Sequence, residues 1–269
     1  SLGYSRNYVA VFKKLRKFLD DAPSTSAEKA NVQHGQWDCW PMVVNISQGE
    51  YIGAHDGSTM LEAEINALTD GGRRPGVCVV KSAGNAGNTA SHAIKEVTRG
   101  GRAFFKVKVA ARNRSEEMIR LQFWYRTCFP MKLELFYDGK AILKTDVIHR
   151  QPMEPVQAKM GIGSVVAQAL PYDSDNGDTR IEIDICPSAD DQFQNGVLFV
   201  HFVRENDGPS APAVVDGWLE RDPRVSFLGI QSADSERTIS IPGTAEHVIT
   251  VGATNDATDH RRICDFSSR

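Results

Sequence analysis

The sequence predicts an α/β fold, in which a parallel-sheet domain is interrupted by an inserted antiparallel β module. Three observations support this prediction. The first 91 residues alternate helix-like segments with short apolar runs, the middle of the chain has strands of period two, and an apolar run returns near the end. We therefore predict an α/β domain over residues 1–91 and 238–269, and a β-sandwich of jelly-roll type over residues 92–237.

The first part of the chain supplies the helices and the buried strands. Residues 8–19 predict an amphipathic helix, and residues 41–47 and 76–80 are apolar runs typical of buried parallel strands. A second helix is expected over residues 58–68, where Thr59 and Glu62 have the spacing of a capping box. The apolar stripe expected on the first helix consists of Tyr8, Val11, Phe12, Leu15, Phe18 and Leu19.

The middle of the chain has a different pattern. Apolar residues alternate with polar ones at 105–109, 131–135 and 181–185, and Ile119, Leu121, Phe123 and Tyr125 alternate with Arg120 and Gln122. Residues 195–203 continue in the same β-rich style. Such alternation is typical of antiparallel sheets with one face toward water. The apolar run at 247–253 then predicts a return to the first domain.

Composition excludes several classes of function. The 269 residues contain 31 Lys+Arg and 34 Asp+Glu, and a net charge of −3 argues against a general nucleic-acid binder. No apolar run approaches the roughly 18 residues that cross a bilayer, and no secretory leader is visible at the start. The five scattered cysteines form no CxxC pair, and the histidines lack metal-ligand spacing, so we expect no metal, no cofactor and a reducing, cytoplasmic setting.

The chemically informative segment is residues 79–88. A buried strand runs into a loop of small residues that contains Asn85. Gly84 allows unusual backbone angles, and an amide N–H₂ at the end of a parallel strand is placed to stabilise an oxyanion. Asn- and Gly-rich turns also commonly follow strands, so this pattern alone leaves a purely structural role open.

Four segments together resemble one family. Residues 79–87, Val-Val-Lys-Ser-Ala-Gly-Asn-Ala-Gly, resemble the oxyanion-hole segment of subtilisin-like serine proteases. Residues 43–49 are similar to the family's substrate-binding strand, and residues 241–253 and 265–269 resemble two later segments in the same order. The long interval 92–237 is similar to that of a subgroup typified by clostridial spore-germination proteases, which has a jelly-roll domain at this position.

The resemblance implies peptide hydrolysis by a Ser–His–Asp triad, with a peptide or protein as the substrate. It implies that Asn85 is the oxyanion-hole residue. It also implies that the substrate-strand and S1-wall positions are Ser47, Gln48, Gly49, Ser82, Ala83 and Gly84. The chain contains no His-Gly-Thr and no Gly-Thr-Ser, so the triad is expected outside it and the chain alone is expected to be inactive. Gln48 replaces the family's usual Leu, and Lys81 replaces an Ala and is expected to change the charge of the pocket.

A second interpretation stays open. The chain is then a non-catalytic, protease-like scaffold whose jelly-roll module binds carbohydrate or a protein partner. Trp124 and Tyr125 are candidates for a sugar-stacking platform, although such aromatics are more often core residues. The adjacent His55 and Asp56 suggest half of a triad, but a role in stabilising their loop is the better interpretation.

Overall fold

A computed structural model of the chain describes residues 2–21, 41–110, 118–160, 163–187, 195–220, 222, 224–229, 236–255 and 262–269. The chain divides into two compact units. The first consists of residues 1–50, 54–85 and 239–267, and the second of residues 51–53, 86–238 and 268–269. The domain boundaries expected from the sequence stay a prediction, and each unit is described by itself.

The described residues form two helices and fourteen strands. In chain order they are α1 (Leu2–Asp20), β1 (Met42–Ile46), α2 (Met60–Leu68), β2 (Val77–Ser82), β3 (His92–Val97), β4 (Arg102–Val109), β5 (Ile119–Tyr125), β6 (Met131–Tyr137), β7 (Lys140–Lys144), β8 (Met153–Met160), β9 (Gly163–Leu170), β10 (Thr179–Pro187), β11 (Gly196–Arg204), β12 (Ala213–Leu219), β13 (Val225–Leu228) and β14 (Ile249–Val251).

The first unit contains both helices and a three-stranded parallel sheet of order β1-β2-β14. Its core is built from Ile46 and Val79 of the sheet together with residues of α1 and α2. The capping box expected at α2 is confirmed, because Thr59 Oγ1 accepts from the Glu62 amide and the Glu62 side chain accepts from the Thr59 amide. This pair fixes where the helix begins.

The predicted apolar stripe of α1 is only partly right. Phe12 and Leu19 are buried, but Val11 is 49% exposed and Phe18 is 58% exposed. Val9 is buried in their place. The face that packs in the core therefore runs through residues 9, 12 and 19, and Val11 and Phe18 lie outside it, because tertiary contacts rather than the hydrophobic pattern alone select the buried face.

The second unit is a β-sandwich of two antiparallel sheets. One has six strands in the order β3-β12-β5-β10-β9-β8, and the other has five in the order β13-β4-β11-β6-β7. Alternate residues of both sheets fill a shared core, in which Phe105, Phe123 and Phe202 contact one another edge to face or tilted. The period-two segments of the sequence become β4, β5, β6, β10 and β11, as predicted.

The predicted α/β fold class is wrong. In the described part of the chain the structure is β-rich, with eleven strands in two antiparallel sheets and only three strands in a parallel one. The apolar runs at 41–47 and 76–80 do form parallel strands, but they contribute two short strands to a small sheet. Val43 of this sheet is 72% exposed, so the sheet is not buried on both faces as an α/β core requires.

No helix among the described residues combines the length and the apolar character needed to cross a lipid bilayer.

Candidate functional site

The two strands that lead into the candidate site lie side by side. β1 and β2 are parallel neighbours, with Val43 opposite Cys78 and Asn45 opposite Val80, so the parallel strands predicted at 41–47 and 76–80 are confirmed. Because parallel strands end at the same edge of a sheet, the segments 47–49 and 82–85 both leave the sheet at that edge. The positions predicted to line a substrate are therefore brought to one place in the first unit.

The segment that follows β1 is exposed and tied to its surroundings by side chains. Ser47, Gln48 and Gly49 are all exposed. Asn45 Nδ2 donates to Ser47 Oγ over 3.2 Å, and the hydroxyl of Tyr8 donates to Gln48 Oε1. These contacts tie the exposed segment to β1 and to α1.

The segment that follows β2 turns at a glycine. The amide of Ala83 donates to the Val251 carbonyl over 2.8 Å, which continues the sheet by one residue. Gly84 then has φ 107°, a conformation that L side chains rarely adopt. A glycine is therefore required at the point where the chain turns toward Asn85.

One further segment lies against both of these. The Ser240 amide donates to the Ala83 carbonyl over 2.8 Å, and the amides of Glu50 and Ile241 each donate to the other's carbonyl, over 3.0 and 2.8 Å. A Cβ on Gly49 would lie 2.4 Å from Ser240 Oγ. The absence of a side chain at Gly49 therefore lets the two segments meet at Ser240.

Asn85 is exposed, immediately after this turn. The next residue, Ala86, is fully buried, and its amide donates to Ser268 Oγ over 2.9 Å. The loop thus changes from open to buried within one residue. The oxyanion-hole role expected of Asn85 stays a prediction.

Lys81 lies under this edge of the sheet and has no exposed surface. Its Nζ donates to Ser240 Oγ over 2.9 Å, to Ser82 Oγ over 3.3 Å and to the Ser82 carbonyl. Within the described residues it forms no ion pair with a carboxylate. Burial lowers the pKa of the Lys81 ammonium to about 8.

The sequence identified Lys81 as unusual but did not identify its partner. Ser240 is 2% exposed and stands directly before the cis peptide bond of Ile241–Pro242. Nothing in the local pattern distinguishes this serine from others, because its importance comes from segments that are 157 residues apart along the chain. Only the tertiary structure brings Ser240 between Gly49 and Lys81.

Two other candidates from the sequence have structural roles in the described residues. His55 Nδ1 lies 2.9 Å from the Ile239 carbonyl, and Asp56 Oδ1 accepts from the Ser58 amide over 3.0 Å, so both stabilise the loop before α2. Trp124 and Tyr125 are 5% and 2% exposed and do not form an open platform. Among the described residues, no three His, Cys, Asp or Glu side chains are grouped as metal ligands.

Comparisons with known proteins give a structural likeness. No protein-family model matches the chain, and no curated protein matches it. The structure is similar to that of the CspB protease of Clostridium perfringens, with a TM-score of 0.69, 24% identity, and coverage of 97% of this chain and 48% of that one. The chain therefore spans about half the length of that protease and has a protease-like fold.

A second solved structure is much less similar. A cycloisomaltooligosaccharide glucanotransferase of Paenibacillus sp. gives a TM-score of 0.22 at 11% identity, with 65% of this chain and 24% of that chain covered. A likeness of this size carries no argument about this protein.

Proposed function

We propose that this chain is part of a subtilisin-like serine endopeptidase and supplies its oxyanion-hole amide and its two peptide-binding segments. The observation that carries the proposal is the meeting of segments 47–49 and 82–85 at one edge of the parallel pair β1–β2, with Asn85 exposed beside them. The likeness to the CspB protease of Clostridium perfringens supports it at the level of the fold.

In the proposed mechanism, a serine of the longer protein attacks the carbonyl carbon of the scissile peptide bond. A histidine takes the serine proton and returns it to the leaving amine, and an aspartate orients the histidine. The carbonyl oxygen becomes negative in the tetrahedral intermediate. Asn85 Nδ2 then donates a hydrogen bond to that oxygen, and this bond is stronger in the transition state than in the ground state.

The two segments have a positioning role in this proposal. An extended peptide bound along Ser47–Gly49, with one of its side chains against Ser82–Gly84, would present its carbonyl to Asn85. Backbone groups can align a peptide in this way without reading its sequence, since strand addition uses only main-chain hydrogen bonds. Holding the reacting groups in place lowers the entropic part of the barrier.

The test uses the full-length protein and an active-site serine label. A fluorophosphonate probe is expected to label one serine outside this chain. Asn85→Ala is expected to lower kcat by about 10²–10³ with little change in KM, the general cost of one oxyanion donor, for which subtilisin itself is the reference case. Asn88→Ala, in the same loop and also exposed, is the matched control and is expected to keep full activity.

Two results would overturn the proposal. One is full-length protein that neither reacts with the probe nor hydrolyses a broad panel of chromogenic peptides. The other is an active protein in which Asn85→Ala and Asn88→Ala have the same kcat. The isolated chain is expected to hydrolyse nothing, because an oxyanion hole without a nucleophile performs no acyl transfer.

A further inference from the structure

The outer face of the five-stranded sheet carries a group of exposed and half-buried aromatic side chains. Inward residues of β4 such as Phe105 and Val107 are fully buried, whereas Phe104, which alternates with them, is 44% exposed. The register places Phe104 beside His201 of β11, and Phe199 of β11 beside Phe136 of β6. We refer to Phe104, Phe136, Phe199 and His201 as the ring cluster.

The rings of this cluster are in contact across three strands. The ring centroids of Phe104 and His201 are 5.4 Å apart, those of Phe136 and His201 are 4.8 Å apart, and those of Phe104 and Phe199 are 6.4 Å apart. Burial lowers the pKa of the His201 imidazole, as does the charge of Arg102, whereas Glu134 raises it. The ring contacts make the cluster a continuous aromatic surface.

Basic side chains surround the ring cluster. Lys106 Nζ lies 5.6 Å from the Phe104 ring centroid and 5.8 Å from that of Phe199, within the range of cation–π attraction. Arg102 and Lys108 stand on the same side of β4. Within the described residues these three cations take part in no ion pair, although the whole chain has a net charge of −3.

A groove of about 320 Å³ adjoins the cluster. It shares Phe104 and Lys106 with the cluster, and its other walls come from β3 and β13. Lys95 and Arg102 also line it, so three basic groups surround a space in which Leu228 supplies an apolar wall. This volume is at the small end of the range for ligand pockets and suits one or two sugar units of a longer chain.

We propose that the ring cluster and this groove bind an acidic polysaccharide, that is, a sugar chain carrying carboxylates. The apolar C–H faces of pyranose rings would lie on Phe104 and Phe199, and the carboxylates would meet Lys95, Arg102 and Lys106. The surface matches such a sugar chain in two ways. Its aromatic rings suit the apolar faces of the sugars, and its basic side chains, which form no ion pair among the described residues, suit the carboxylates. This proposal is independent of the proposed peptidase function.

Two features argue against other macromolecules. Protein–protein interfaces are depleted in lysine at their cores, whereas this face has Lys106 between two of its rings. The whole chain has a net charge of −3, whereas a general nucleic-acid binder normally has a basic excess.

The experiment measures binding of the 269-residue chain to sodium polygalacturonate by isothermal titration calorimetry. Neutral dextran, poly-L-glutamate and oligo(dT) are the comparison ligands. The wild-type chain is expected to bind polygalacturonate more tightly than any of these, with affinity that falls as salt is added. Phe104→Ala and Lys106→Gln are each expected to weaken binding about three- to tenfold, and Phe104→Tyr is expected to retain it.

Controls separate the face from general charge and from misfolding. Phe18→Ala removes an exposed ring of α1, and Lys159→Gln removes an exposed amine of β8, so both are expected to bind as the wild type does. Circular dichroism melting establishes that each variant is folded. The proposal is overturned if polygalacturonate does not bind, if oligo(dT) or poly-L-glutamate binds as tightly, or if folded Phe104→Ala binds like the wild-type chain.

Discussion

Replacing Lys81 by methionine tests whether burial of the Lys81 ammonium group destabilises the folded chain. Lys81 has no exposed surface, and its ammonium is hydrogen-bonded only to serine and carbonyl oxygens rather than to a carboxylate. Lys81→Met keeps an unbranched apolar side chain as far as the ε position and removes the amine. In the wild type, the free energy of unfolding is expected to rise with pH as Lys81 loses its proton. We expect Lys81→Met to lack this rise.

The magnitude follows from the pKa. Burial lowers the pKa of Lys81 from 10.5 to about 8. Between these two values the unfolded chain holds a proton that the folded chain has released, so raising the pH stabilises the folded state. At about 1.4 kcal/mol for each pH unit, the free energy of unfolding rises by about 3 kcal/mol over this interval. Below about pH 8 both states are protonated, and the contribution is constant.

The assay is urea unfolding followed by circular dichroism from about pH 7 to about pH 10. Other groups titrate as well, since burial raises the pKa of the Tyr125 phenol and therefore lowers stability at high pH. The difference between the wild type and Lys81→Met removes these shared contributions. Lys159→Met, which removes an exposed amine of β8, controls for the loss of one positive charge.

The expected result is a difference curve that rises by about 2–3 kcal/mol between about pH 8 and pH 10. A flat difference curve would refute the reasoning, because it would mean that Lys81 titrates alike in the folded and unfolded chains. A falling curve would be equally damaging, since it would require a partner that holds the proton on Lys81 in the folded state.

Three further substitutions test the packing of each unit by thermal denaturation, in which about 1 kcal/mol corresponds to about 2–4 °C. Thr59→Ala removes the N-cap of α2 and is expected to cost about 1 kcal/mol, with Thr59→Ser largely neutral. Gly217→Ala would place a Cβ 2.7 Å from the Phe123 ring and is expected to cost about 1–3 kcal/mol. Arg204→Met would leave the backbone carbonyls that accept from the buried Arg204 guanidinium without a donor, and it is expected to cost about 2–4 kcal/mol. Arg204→Lys is expected to recover part of this stability. An unchanged melting temperature in any of the three destabilising variants would show that the corresponding contact contributes nothing.

Local patterns in the sequence predict individual elements well. Alternation at 105–109 becomes β4, and the spacing of Thr59 and Glu62 becomes the cap of α2, because both signals act between residues a few positions apart. The parallel direction of β1 and β2 also follows from the sequence, because short apolar runs separated by a helix favour parallel strands. The roles given to Asn85 and to the segments beside it stay proposals.

The same patterns fail to predict the fold class and those strands that form only by pairing with distant segments. The α/β class was wrong because two apolar runs were extended to a whole domain, while strands such as β3, β8 and β12 had no clear signal of their own. Their residues become strands through pairing with distant partners. Half-exposed strands such as β8 lack the alternation that sequence reasoning depends on.

The sequence by itself determined the strands with clear period-two alternation, such as β4 and β6, the position at which α2 is capped, and the glycine that precedes Asn85. Only the tertiary structure decided the order of the strands, the burial of Lys81 against Ser240, and the assembly of Phe104, Phe199 and Lys106 on one face. The physical reason is range. Backbone propensity and side-chain period act within a few residues, whereas burial and register are set by partners that the chain brings together from more than a hundred residues away.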